Sequence, residues 1–113
     1  MKKQELGRLG EALARNFLIE KGYKLLAKNY RLGHFEVDLI FEHGRNLIAV
    51  EVKTRKDRRS IAPIFRSLQY RRIQSCMNYY AQSKGLDKDI RIDLIKVEIS
   101  SLDKPVIKHW MGL

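Results

Sequence analysis

From Phe35 to Arg55 the chain reads F-E-V-D-L-I-F-E-H-G-R-N-L-I-A-V-E-V-K-T-R, two alternating runs joined by a short polar break. In the first, Phe35, Val37, Leu39 and Phe41 alternate with Glu36, Asp38 and Ile40; in the second, Ile48, Val50 and Val52 alternate with Leu47, Ala49, Glu51 and Lys53. A period of two sends successive side chains to opposite faces, so each run predicts a strand with one strongly apolar face. His43-Gly44-Arg45-Asn46 closes the pair as a tight turn, with Gly44 free to take a positive φ. A slip of one residue would put Val37 and Leu39 on the face of Glu51 and Lys53, so the pattern fixes the register. Centring the turn on Gly44 and Arg45 sets Asp38 opposite Glu51 and Glu36 opposite Lys53.

Facing carboxylates repel, so an Asp38/Glu51 pair requires either open solvent or a cation between the oxygens. Magnesium or manganese suits such a pair. These ions take one or two carboxylates and complete their shell with waters and phosphate oxygens. Lys53, two residues beyond Glu51, projects to the same face and could orient or deprotonate a water or neutralise phosphate charge. The plainer alternative is the solvated polar face of an ordinary hairpin, for which E-x-K alone has little specificity. The metal reading gains from the conjunction of facing acids, a lysine beside them and a basic run directly after.

That basic run agrees with the whole chain, whose 23 Lys and Arg against 13 Asp and Glu give a net charge of +10. Such a field favours polyanions, with nucleic acid, most readily DNA, as the leading partner, although excess charge also serves solubility alone. No segment combines a basic face with a large exposed apolar one, and no apolar run approaches a membrane span, so no membrane partner is expected. A single cysteine, Cys76, forms no internal disulfide, and the N-terminus lacks an apolar signal core; both features predict a cytoplasmic protein. At 113 residues the chain fits a single domain, 1–113, with 100–113 as a C-terminal extension.

Residues 4–21 predict a helix with the stripe Leu6, Leu9, Leu13 and Phe17, widened by Ala14 and Leu18. Gly7 and Gly10 are unfavourable inside it by about 1 kcal/mol each, which implies close approach of another backbone or a ligand. Glu11 sits at the stripe's edge and is most simply a surface partner for Arg15. Residues 23–31 predict a first strand, and His34 falls in the loop that follows. With no second His or Cys at ligand spacing, zinc is not expected. Arg55, Lys56, Arg58 and Arg59 belong to a polar loop that reads either as solvated or as a set of phosphate contacts. A second helix is expected from about Pro63 to Lys84, with Phe65, Leu68, Ile73, Cys76, Met77 and Tyr80 facing the sheet, Gln69 within that stripe and Arg72 at its margin. Cys76 reads as a small core residue rather than a nucleophile. Ile90–Ile99 is the clearest late strand, reached by a helical crossover. Asp93 is assigned to an ion pair with Arg91 or a lysine. The tail supplies an edge strand or docking segment anchored by Trp110.

The predicted fold class is therefore α/β. The α-β-β-β-α-β order, with D-x12-E-V-K across the second and third strands, resembles the restriction-endonuclease-like or PD-(D/E)XK core, a mixed sheet flanked by helices. Further blocks, G-R-L-G-E-A-L-A, G-Y-K-L-L-A-K-N-Y-R, F-E-V-D-L-I, A-V-E-V-K-T-R and R-I-D-L-I-K-V, resemble those of the YraN family of bacterial proteins over almost the whole chain. That family is itself similar to Holliday junction resolvases. The resemblance implies Asp38 and Glu51 as metal ligands for Mg or Mn, Lys53 as catalytic lysine, Glu11 as a helix-borne acid reaching the site, and Glu36 as the acid of the family's G-E-I-D-L block. Two departures stand out: Phe35 replaces a usual glycine, narrowing backbone approach, and Gln69 replaces a lysine, weakening phosphate binding.

The reading that results is a nucleic-acid-binding protein of nuclease-like fold, acting as a metal-dependent endonuclease on branched or other DNA. A non-catalytic DNA-binding module of the same fold is the alternative, and a protein-interaction adaptor using the tail is a third. Resolvase-like cutting of two strands would imply a homodimer. The contacting residues would be Arg55, Lys56, Arg58, Arg59 and Arg72.

Overall fold

The computed structural model describes residues 1–56, 69–100 and 104–113. Helix α1 (Lys3–Glu20) leads into β1 (Lys24–Leu32), β2 (Phe35–His43) and β3 (Asn46–Arg55). Helix α2 (Tyr70–Lys84), β4 (Asp89–Glu98) and β5 (Val106–Trp110) follow. The strands form one sheet in the order β1-β2-β3-β4-β5. All neighbours are antiparallel except β3 and β4, which run parallel, as a crossover through α2 requires. The molecule thus has the expected α-β-β-β-α-β order with one added edge strand.

Each face of the sheet has its own core. Ala14 and Leu18 of α1 cover Leu39, Phe41, Ile48, Val50 and Val52, while Ile73, Cys76, Met77 and Tyr80 of α2 cover Val37, Ile40, Leu47, Ala49 and Ile92. The hairpin is therefore buried on both sides. Its turn is the predicted one, with His43 paired to Asn46 and Gly44 at φ 59.

The single apolar face predicted for the first hairpin strand does not hold. Phe35 and Val37 pack on the α2 side, whereas Leu39 and Phe41 pack on the α1 side. Alternation breaks at Asp38. Beside it on β1 stands Asn29, with φ 50, between the pairs Lys28↔Leu39 and Tyr30↔Val37; the β1/β2 register shifts further along, between Leu25 and Ala27. Asparagine tolerates this left-handed conformation better than most residues.

Helix α1 also differs from its predicted stripe. Its buried line is Leu6, Gly10, Ala14 and Leu18, with Leu13 and Phe17 half-buried and Leu9 exposed. Gly10 explains the rotation, because a Cβ there would run into Thr54 of β3, with the Thr54 Cβ and Cγ2 only 2.9 Å away. The close approach expected at both glycines is thus real at Gly10, against a side chain. At Gly7 an added Cβ would meet nothing within 4 Å.

Helix α2 begins later than expected. Gln69 has φ −97 and ψ 73, outside the helical range, and is the N-cap residue. It is exposed rather than lodged in the apolar stripe. Pro63, Phe65 and Leu68, with Arg58 and Arg59, lie outside the described residues. The C-terminus behaves as predicted: Gly85 at φ 65 ends the helix, its N–H and that of Leu86 closing on carbonyls of the last turn.

The tail is fixed by Asp93, which is fully buried on β4. Its carboxylate accepts two hydrogen bonds from Arg91 at 2.9 Å, one from His109 Nε2 at 2.8 Å and one from the Gly112 amide at 3.0 Å. His109 Nδ1 lies 3.3 Å from Lys21 Nζ, which can only donate, so the His109 proton belongs on Nε2. Arg91 also donates to the Tyr23 hydroxyl at 2.9 Å. The expected Asp93–Arg91 pair is present, and His109 joins Trp110, half-buried on β5, in holding the tail. Among the described residues no helix is long and apolar enough to cross a membrane.

Candidate active site

The β2/β3 ladder runs from His43↔Asn46 to Leu39↔Val50. One step further Asp38 takes over. Its Oδ2 accepts a hydrogen bond from the Val52 amide at 2.8 Å, a side chain closing the sheet where a backbone carbonyl would otherwise serve. Beyond this point the two strands diverge, while β3 keeps its parallel ladder to β4 as far as Arg55↔Glu98. The opening is a cleft lined by Lys3, Leu6, Gly7 and Glu11 of α1, by Asp38, and by Glu51, Val52, Lys53, Thr54 and Arg55 of β3.

Asp38 and Glu51 share this cleft, as the register predicted. The paired ladder stops short of Glu36 and Lys53. Glu36 accepts from Asn29 of β1 at 2.9 Å and pairs with Arg31 of β1 at 3.0 Å. Glu11 points into the cleft, and its Oε1 accepts from the same Asn29 amide at 3.3 Å. Asn29 therefore bridges Glu11 and Glu36. The Asn29 contact replaces the surface role beside Arg15 expected from helical spacing.

Electrostatics distinguish this cluster from a solvated polar face. Burial raises the Asp38 carboxyl above the usual carboxylate range. The Val52 amide and Lys53 pull it down, while Glu11 and Glu36 push it up. Glu51, 9% exposed, is raised as well, by burial first and by the Asp38 charge second, with Lys53 and the Asp38 backbone amide opposing. Glu51 Oε1 is buried without a hydrogen-bond partner among the described residues. Such an arrangement destabilises a fold and clusters at functional sites.

These features fit a hard divalent ion. The donors are carboxylate oxygens, one of them unsatisfied, and a positive charge would relieve both the repulsion and the desolvation. Among the described residues no three His, Cys, Asp or Glu side chains converge as a preformed metal group. Asp38 and Glu51 would supply only part of a shell, which is usual for magnesium.

The proposed contact residues are dispersed. Arg55 lines the cleft, and exposed Lys56 lies beside a separate hollow with Met1, Leu6, Ile99 and Ser100. Arg72 stands on α2, at a cleft it shares with Phe35. Sequence reasoning missed Asn29 and Lys3. Asn29 had a usable signal, a residue tolerant of positive φ in the middle of an irregular strand; Lys3 had none beyond general basicity.

Comparison with known proteins agrees with this layout of the chain. A family model described as "Uncharacterised protein family UPF0102" matches residues 10–97, which include Glu11, Asp38, Glu51, Lys53 and α2. A UPF0102 protein of Chlorobium chlorochromatii is 38% identical over 108 residues, covering 94% of this chain and 84% of the relative. One from Renibacterium salmoninarum is 34% identical over 114 residues, covering 98% and 97%. Another from Thermotoga neapolitana is 34% identical over 108 residues, covering 94% of each. The chain belongs to the uncharacterised protein family UPF0102, the YraN family whose sequence blocks it carries.

Proposed function

We propose that this protein is a DNA-binding phosphodiesterase that requires a divalent ion, with Asp38 and Glu51 as ligands and Lys53 as the residue nearest the reacting phosphate. One observation carries the reading: two raised carboxyls, one with an unpartnered oxygen, share a cleft with Lys53. The chemistry that magnesium or manganese supplies when bound there is polarisation of a phosphate oxygen and activation of water. Lys53 opposes the rise of both carboxyls and offers charge, or a proton acceptor, to the phosphate and its attacking water. Glu11 closes the cleft from the helix side. Arg55 and Lys3, at its rim, meet flanking phosphates. Branched DNA and action as a homodimer belong to the same reading, by likeness to the resolvases.

The test uses plasmid, single-stranded and four-way-junction DNA with magnesium or manganese. Metal-dependent cleavage should fall about 10²-fold or more in Lys53→Met, with metal binding retained. Asp38→Asn should abolish the heat of manganese binding measured by calorimetry. Cleavage that survives Asp38→Asn, Glu51→Gln and Lys53→Met alike is contamination and ends the enzymatic reading. The departures at Phe35 and Gln69 from the family's sequence blocks favour a second reading, a binding module without chemistry. A wild type that binds these DNAs in a salt-dependent manner and cuts none of them selects it.

A further inference from the structure

A cleft of about 440 Å³ lies on the α2 side of the sheet, separate from the acid cleft in its lining. Leu32 and Phe35, from the two ends of the β1/β2 turn, and Cys76 of α2 form its apolar floor. His34 stands at the turn, and Arg71, Arg72 and Ser75 line it from the exposed side of α2. Its size falls within the range of about 300–1,000 Å³ typical of small-molecule sites.

The lining has two chemistries, an aromatic and apolar floor and a rim with two guanidiniums, an imidazole and a hydroxyl. A nucleotide has the matching halves: a base with apolar faces and polar edges, and a phosphate. Within a duplex the base faces are stacked and its pairing edge is occupied, so only an unpaired nucleotide can present them. Position supports this match. Phe35 is three residues from Asp38 on β2, roughly 10 Å of extended backbone. Cys76 packs in one core with Ala49, two residues before Glu51 on β3.

Building on the phosphodiesterase reading, we infer that this cleft holds an unpaired nucleotide beside the phosphate at the acid pair, with Phe35 as stacking platform and Arg71 and Arg72 as phosphate partners. The substrate class is then DNA with a single-stranded segment or a strand discontinuity. Continuous duplex would be bound only through its phosphates.

Binding is measured in EDTA, so that cleavage plays no part. The probes are a blunt duplex, the same duplex with a single-stranded 3′ or 5′ extension, and extensions carrying 2-aminopurine at successive positions. The extended probes should bind about tenfold or more tightly than the blunt duplex, the scale of one base–aromatic stack. One 2-aminopurine position should be quenched. Phe35→Leu should remove the quenching and most of the preference while leaving duplex affinity unchanged. Ser75→Trp, which fills the cleft from an exposed helical position, should do the same without touching the floor. Equal affinity for blunt and extended probes, or a preference that survives Ser75→Trp, overturns the cleft assignment and leaves the phosphodiesterase reading standing. A wild type that binds no DNA even at low salt overturns both.

Discussion

Asp93→Asn is expected to be among the most damaging conservative substitutions in this chain. Asp93 accepts four hydrogen bonds in a fully buried position, two on each oxygen, so the NH2 of asparagine would face two donors whichever oxygen it replaced. Breaking one partner of a buried ion pair typically costs about 3–5 kcal/mol. The Arg91 side chain retains 21% exposure and its bond to Tyr23, so the lower end, about 3 kcal/mol, applies. Against a total stability of about 5–15 kcal/mol this is a large fraction, and it corresponds to a fall in Tm of roughly 10–15 °C. Burial alone would raise the Asp93 carboxyl, but the hydrogen bonds from His109, Arg91 and Gly112 outweigh it and hold the group below its ordinary value. A depressed acid contributes stability above its unfolded pKa of about 3.9, and loses it as pH falls below that value through the folded one. Urea unfolding from pH 7 down to pH 3 should therefore show the wild type converging on the variant at acid pH. Amide exchange at Gly112 and Leu113, whose N–H groups bond to Asp93 and the Ile92 carbonyl, should accelerate first in the variant. A loss below about 1 kcal/mol at pH 7 would refute the argument that this network holds the tail.

Glu51→Gln should have the opposite sign, leaving stability unchanged or raising it by about 1 kcal/mol at pH 8, because it removes a buried carboxylate with an unpartnered oxygen. A raised acid opposes folding increasingly as pH climbs, so thermal scans should show the advantage shrinking toward pH 4; a clear loss at pH 8 would contradict it. Gly10→Ala should destabilise by about 1–3 kcal/mol through the clash with Thr54, whereas Gly7→Ala, with open space at its Cβ, should be neutral or stabilising by up to about 1 kcal/mol. Equal effects in chemical denaturation would show that the helix does not rest on β3 through Gly10. Replacing Arg55, Lys56, Arg58 and Arg59 together should flatten the salt dependence of DNA binding by about 3 to 4 units if all four meet phosphates; an unchanged slope returns them to solvent.

The element order, the turn at Gly44-Arg45 and the Asp38/Glu51 register were legible because period-two patterning and turn chemistry are local. What escaped was the consequence of a sheet covered on both faces. Once both sides of β2 are apolar, alternation no longer reports which side is which, and the break at Asp38 cannot be seen in the pattern. Helical spacing likewise could not set the rotation of α1, since Gly10 against Thr54 is a contact 44 residues apart in sequence. Gln69 looked apolar-facing only because the helix was extended backward through it; its non-helical φ and ψ are a tertiary outcome. Glu11 at the cleft and Glu36 on β2 are joined through Asn29 of β1, a contact that no local pattern reports.

The bond from the Val52 amide to Asp38 means that this carboxylate serves as the last rung of the β2/β3 ladder as well as one wall of the cleft. An alanine at position 38 would remove both roles at once, leaving the Val52 N–H to find water and freeing the strand ends to part further. Inactivity in such a variant would say little about chemistry. Asparagine keeps an oxygen of the same reach for the Val52 amide while replacing the other by an uncharged NH2, so it separates the carpentry of the sheet from the electrostatics of the site. Glutamate, one methylene longer, would keep the charge and misplace the rung. The pair Asp38→Asn and Asp38→Glu thus forms a controlled comparison between the two roles of one side chain.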